Sequence, residues 1–128
     1  MTDPLKALIE ALRHELQQYG EMLARLDQQQ ESIMSRAADD VLASVAAVQS
    51  QGVAIQEARR AREYTQRELA GYFHQPEETT LGDLTERMPS DYRPLVRALV
   101  EENNQLLARV HQRARQNHLL LRRSLDLM

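Results

Sequence analysis

Four histidines, His14, His74, His111 and His118, are the residues of this 128-residue chain best suited to acid–base or metal chemistry. Their spacing argues against both. His111 and His118 stand seven residues apart, about 10 Å along a helix, and one metal is better served by a four-residue step. Glu10 and His14 have that step, yet no Glu-x-x-His motif of the di-iron bundle type occurs. An exposed or capping role accounts for these histidines. The chain has no cysteine, hence no disulfide, thiol nucleophile or cysteine metal site. It also lacks a phosphate-cradling glycine loop and a nucleophile elbow. The sequence reads as non-enzymatic, with no cofactor and no metal expected.

The arginines say more. After Glu102 come Arg109, Arg113, Arg115, Arg122 and Arg123, against a single acid, Asp126. The last turns are therefore a basic amphipathic helix in a chain of net charge −3. Cations favour a helix C-terminus, so a solvated face is one explanation. An acidic partner helix, a membrane surface or a phosphate backbone would be the functional ones. The segment has no Trp, Phe or Lys, which weakens membrane binding. It has no interleaved aromatics, which weakens nucleic-acid binding. A partner helix laid in an apolar groove remains, with arginines gripping its rim.

Those arginines need a helix to position them. Val96, Leu99, Leu106, Val110 and Leu120 recur at helical spacing and share one stripe with Asn103, Arg113, Asn117 and Ser124. Leu107, Ala114, Leu121 and Leu125 widen that stripe toward the C-terminal end. Upstream, Asp3-Pro4 signals a helix start, with Asp3 as cap and Pro4 at the first position. Leu5, Leu8, Ile9, Leu12, Leu16, Tyr19, Leu23, Leu26 and Ile33 then trace a heptad-like stripe interrupted by Gln30. The register slips around Met34 to Val41 and resumes at Val41, Val45, Val48 and Ile55, with Gly52 in the seam. Such a slip is a stutter or a bend. The pattern fades through Arg59, Arg60, Arg62 and Tyr64 and is expected to end near Gly71, a candidate C-terminal cap. Thr80 can cap a short helix that Pro89 ends, and Ser90 can cap the final one, with Pro94 in its first turn.

The whole, residues 1–128, is expected to be one all-α domain: an antiparallel long-helix bundle or coiled-coil hairpin with a short connecting helix. Its parts are a long helix or kinked pair over about 4–71, a loop at 72–80, a short helix at 81–88 and a long C-terminal helix at 91–125. Unbroken, residues 4–71 would reach about 100 Å, roughly twice the final helix. Either the first helix breaks near the stutter and makes a three-helix bundle, or part of its seam stays open for a partner. Hydrophobic residues make up 42% but aromatics only 4%, so the core is mostly aliphatic. Four glycines and four prolines are too few for a turn-rich fold. The net charge gives no basic footprint for nucleic acid. No apolar run is long enough to span a bilayer, and the opening Met1-Thr2-Asp3-Pro4 has no basic or apolar secretory segment. A cytosolic protein without stable membrane insertion is expected.

The closing segment Asn117-His118-Leu119-Leu120-Leu121-Arg122-Arg123-Ser124-Leu125 resembles the signature of the FlgN family: an Asn, then a Leu-Leu pair and a Ser-Leu. The bridge at Leu84, Met88-Pro89 and Arg93, the leucines before Asn103-Asn104-Gln105, and Leu16, Tyr19, Leu23, Ile33, Asp39 and Leu42 are similar to that family too. The resemblance implies a cytosolic chaperone of flagellar type III export. It would bind the C-terminal, helix-forming segments of the two hook–filament junction proteins, FlgK and FlgL, keep them unassembled, and pass them to the export apparatus. Carried onto this chain, the partner-binding surface is Leu106, Val110, Ala114, Asn117, Leu120, Leu121, Ser124 and Leu125. Relatives usually continue past the Ser-Leu into a tail implicated in the gate contact, so the resemblance assigns no gate-contact residue. The competing expectation is a structural coiled coil that self-associates, burying the same stripe in a homo-oligomer.

Overall fold

A computed structural model describes residues 3–126, and every described element is a helix: α1 (Pro4–Met34), α2 (Ala38–Tyr72), α3 (Leu81–Glu86) and α4 (Arg93–Asp126). The all-α class read from the sequence is the one found. The first helix is broken, not continuous. Three helices of 31, 35 and 34 residues result, so each can cover another along its whole length.

α1 begins where the sequence signals it, with the Asp3 carboxylate accepting from the Leu5 amide at 2.9 Å and Pro4 in the first turn. Of its heptad stripe, Leu5, Leu8, Ile9, Leu12, Tyr19, Leu26 and Ile33 are buried and Leu16 and Leu23 half-buried, with Met22 buried beside them. The helix ends in a Schellman motif. Arg36 is left-handed (φ 56°), its amide donates to Ile33 O, and the Ala37 amide donates to Ser32 O. This is the physical content of the register slip. α2 starts directly after, with Asp39 and Asp40 in its first turn, where the helix dipole favours acids.

α2 runs antiparallel to α1. Gln51 bonds to Arg25 and Arg62 to Glu15, so numbers rise on one helix as they fall on the other. Its pattern does not fade at the arginines. Arg59 and Arg62 lie on the inner face, reaching across to Tyr19 and Glu15. Nor does Gly71 cap the helix, which continues to Tyr72. The left-handed residue is His74 (φ 56°), in a second Schellman motif with Gln75 N donating to Ala70 O. A terminal hydrogen-bond pattern can be met by a residue other than glycine, at some conformational cost.

α3 is capped by Thr80, whose hydroxyl accepts from the Asp83 amide at 3.2 Å, and it ends at Glu86, not at residue 88. Leu84 and Met88 are buried beneath it. Ser90 lies outside α4, which starts at Arg93 after a turn. Arg93 closes that turn by donating to Met88 O at 2.9 Å.

α4 then runs parallel to α1. The Asn103 amide donates to Leu12 O at 3.2 Å and the Asn117 amide to Leu26 O at 2.8 Å, a constant offset along both helices. The order is therefore up, down, up, with α1 in the middle. α1 packs on both α2 and α4, but the α2 and α4 backbones stay more than 8 Å apart among the described residues. Two seams are closed and the third flank is open. The core follows the same asymmetry. At the lower end, Leu5, Leu8, Ile9, Leu12, Leu69, Ala70, Leu84, Met88, Val96 and Leu99 form one buried cluster. At the upper end the buried cluster shrinks to Tyr19, Met22, Leu26 and Val110.

Candidate partner-binding groove

The upper end is open because the first turns of α2 bury little. No residue from Ala38 to Ser50 is fully buried, although Val41, Val45 and Val48 are apolar and half-buried. Val41 and Val45 face the last turns of α4 across the end of α1. Between them lies a groove of about 440 Å3. Its floor is Ile33, one wall is Ala38, Val41, Leu42 and Val45, and the other is Leu121, Ser124 and Leu125, with Arg36 at the turn. Leu42 is 70% and Leu125 60% exposed, values at which large aliphatic side chains still face water. Among the described residues no acid lines the groove, and its one charge is Arg36. An apolar groove with a basic corner has the character of grooves in which amphipathic helices lie.

The eight residues of α4 named from the sequence separate in this fold. Leu121, Ser124 and Leu125 meet in the groove. Leu120 is half-buried outside its lining, and Ala114 is exposed. Leu106 is half-buried against the upper core, and Val110 is buried within it. Asn117 is 3% exposed and holds α4 to α1 by donating to Leu26 O and Gln29 Oε1. The opposite wall, Ala38 to Val45, was visible in the sequence only as the helix restarting after the slip.

A second cleft, of about 540 Å3, opens lower on the same flank, between Arg59 and Arg62 of α2 and Val100, Asn103 and Leu107 of α4. Its floor is polar. Glu15, 3% exposed, accepts from Tyr19 Oη at 2.7 Å and from Arg62 Nε at 2.8 Å. Arg62 also donates to Gln66 Oε1 at 3.1 Å. Arg59 Nη2 donates to Tyr19 Oη at 3.2 Å. Burial pushes the Tyr19 phenol above its ordinary value, against the pull of the Arg59 bond, and the Glu15 bond adds to the rise. The hydrogen bond from Arg59 to Tyr19 in turn holds the guanidinium above its ordinary value.

The basic run on α4 is mostly a solvated face. Arg109, Arg115, Arg122 and Arg123 are exposed. Arg113 instead crosses to α1, donating to Asp27 Oδ1 at 2.6 Å and Gln30 Oε1 at 3.0 Å. All four histidines are exposed. Among the described residues no group of three His, Cys, Asp or Glu is placed to hold a metal ion, and no helix is long and apolar enough to cross a membrane.

A family model described as FlgN protein matches residues 1–128, and the chain belongs to that family, one of flagellar export chaperones. No curated protein and no solved structure matches it. Its partners are thus proteins of flagellar export, and its family is a chaperone family, not an enzyme family.

Proposed function

We propose that this chain acts in the cytoplasm as the export chaperone of the hook–filament junction proteins FlgK and FlgL, holding their C-terminal helical segments and presenting them to the export apparatus. One observation carries the reading: the apolar groove of Ile33, Val41, Val45, Leu121 and Leu125 is open on the free molecule. A junction-protein end that becomes helical only in its assembly is disordered when free and folds on the surface that receives it. Coupled folding of this kind buries on the order of 1,000–3,000 Å2 and is offset by several kcal/mol of ordering. The net affinity is then moderate, which suits release for export. Supporting roles fall to Val110 and Asn117, which set the height and rotation of the α4 wall.

The test is calorimetric titration of the chain with a peptide of the last ~30 residues of a junction protein, a length that gives two helices of average size with a short connection. Binding by the wild type and its loss in Leu121→Asp/Leu125→Asp, with unchanged circular dichroism, is the expected result. Absence of binding by the tails of both junction proteins overturns it. Light scattering separates the structural alternative, since a concentration-independent dimer joined through residues 106–125 would occupy the same surface.

A further inference from the structure

The groove at the upper end and the cleft below it lie on one flank, and between them runs a half-buried apolar path. Val48 and Ile55 border it on α2, and Leu106 and Leu107 on α4. Charge along this flank is one-sided. Arg36 stands at the groove, Arg59 and Arg62 at the cleft, and Glu15 is the single acid lining either. Glu15 is already engaged by both Arg62 and Tyr19. Arg62 is neutralised by it, and its outer nitrogen is taken by Gln66. Arg59 differs. Its sole hydrogen bond among the described residues is to the neutral Tyr19 hydroxyl, and no carboxylate of those residues lies within the 4.0 Å of an ion pair, including Glu63 one turn away. A half-buried guanidinium that lines a cleft and has one hydrogen bond among the described residues matches a carboxylate in a bidentate fork.

We propose that a single partner helix lies along the open flank, completing a four-helix arrangement, and that Arg59 pairs with a carboxylate on it about two heptads from the residues seated in the apolar groove. The spacing comes from the wall itself: Val45 and Arg59 are 14 residues apart on α2, on the order of 21 Å of helix. This rests on the chaperone reading and adds to it the chemistry of the occupant: amphipathic, apolar at one end, with an Asp or Glu at that distance. It also accounts for the path between the two openings, because a helix crossing from one to the other would cover Val48, Ile55 and Leu107.

The experiment is titration of wild type, Arg59→Gln, Arg59→Lys and Tyr19→Phe with the same junction-protein tail peptide, at low and high salt, together with peptides in which each acid is replaced by its amide. Arg59→Gln should weaken binding about tenfold or more, as loss of a hydrogen bond to a charged group does, and flatten its salt dependence. Arg59→Lys should recover part of it. One amide replacement should weaken binding to wild type and leave binding to Arg59→Gln unchanged. Tyr19→Phe removes the intramolecular bond but keeps the cation, so it should bind like wild type. If Tyr19→Phe loses as much as Arg59→Gln, the effect belongs to the fold and the pairing is overturned. If Arg59→Gln binds as wild type does while Leu121→Asp/Leu125→Asp has lost binding, the pairing is overturned and the chaperone reading stands. If no variant, wild type included, binds the tail, both fall together.

Discussion

Glu15 shows how a charged residue survives inside this bundle. A carboxylate 3% exposed would be costly alone, but here it has Arg62 on one oxygen and Tyr19 on the other. The Tyr19 phenol inherits a raised pKa from its burial. The sign of the resulting pH effect follows from linkage. In the unfolded chain tyrosine ionises near 10.0, and in the folded chain Tyr19 ionises later, so its stabilising effect is complete below pH 10 and is lost as pH rises through the folded value. Denaturant midpoints measured from pH 9 to 11.5, limits chosen around the ordinary tyrosine value, should fall more steeply for wild type than for Tyr19→Phe. Equal slopes in both proteins would refute the assignment. None of this was legible in the sequence. Arginines among alanines looked like a fading helix, because periodicity detects apolar residues and not a polar pair buried at their spacing.

At the scale of the element, the bundle is decided by three residues, Ser35 to Ala37. Arg36 is held left-handed there, a conformation that costs an L-residue with a Cβ roughly 1–2 kcal/mol. Glycine would relieve that strain while losing more freedom from the unfolded state. Arg36→Gly is therefore expected to raise unfolding free energy by about 0.5–1 kcal/mol, readable as a small increase in thermal midpoint. A drop in stability would mean that the Arg36 side chain contributes more than its backbone costs. The sequence announced a disturbance at this place but not a reversal, since a stutter and a turn leave the same trace in a heptad count. The α1–α4 seam carries the opposite lesson. Asn103 and Asn117 sit two heptads apart and both are buried, each with its amide on an α1 carbonyl and its Oδ1 without a partner. Polar residues in a seam cost stability and specify register. Here they hold α4 parallel to α1 at a single offset.

The whole molecule is graded from a sealed lower end to an open upper one. Ten buried side chains fill the lower cluster and four the upper. Stability should follow that gradient, because segments with few buried apolar contacts open at lower free energy than the core. Amide hydrogen exchange is expected to be fastest, among helix interiors, in residues 38–50, and slowest in the part of α1 between Leu5 and Leu12. Binding of a partner in the groove should protect residues 38–50 most. Uniform exchange along α2 would contradict the gradient. The open end is also where the groove lies, which places the least stable wall of the bundle at the surface proposed to receive the partner helix.

Periodicity determined that this chain is helical and which stripe of α4 is apolar, because burial of one helical face is a local rule written every three or four residues, and the Asp3-Pro4 cap marked where the first helix begins. It also pointed to the last turns of α4, where Leu121, Ser124 and Leu125 now line the groove. Only the tertiary structure decided the rest: that the first helix reverses at Arg36, that Val110 and Asn117 turn inward, and that Val41 and Val45 supply the second wall. The physical reason is that a stripe records how much surface must leave water, whereas the identity of the covering surface depends on chain reversals whose signal lies in a few backbone angles.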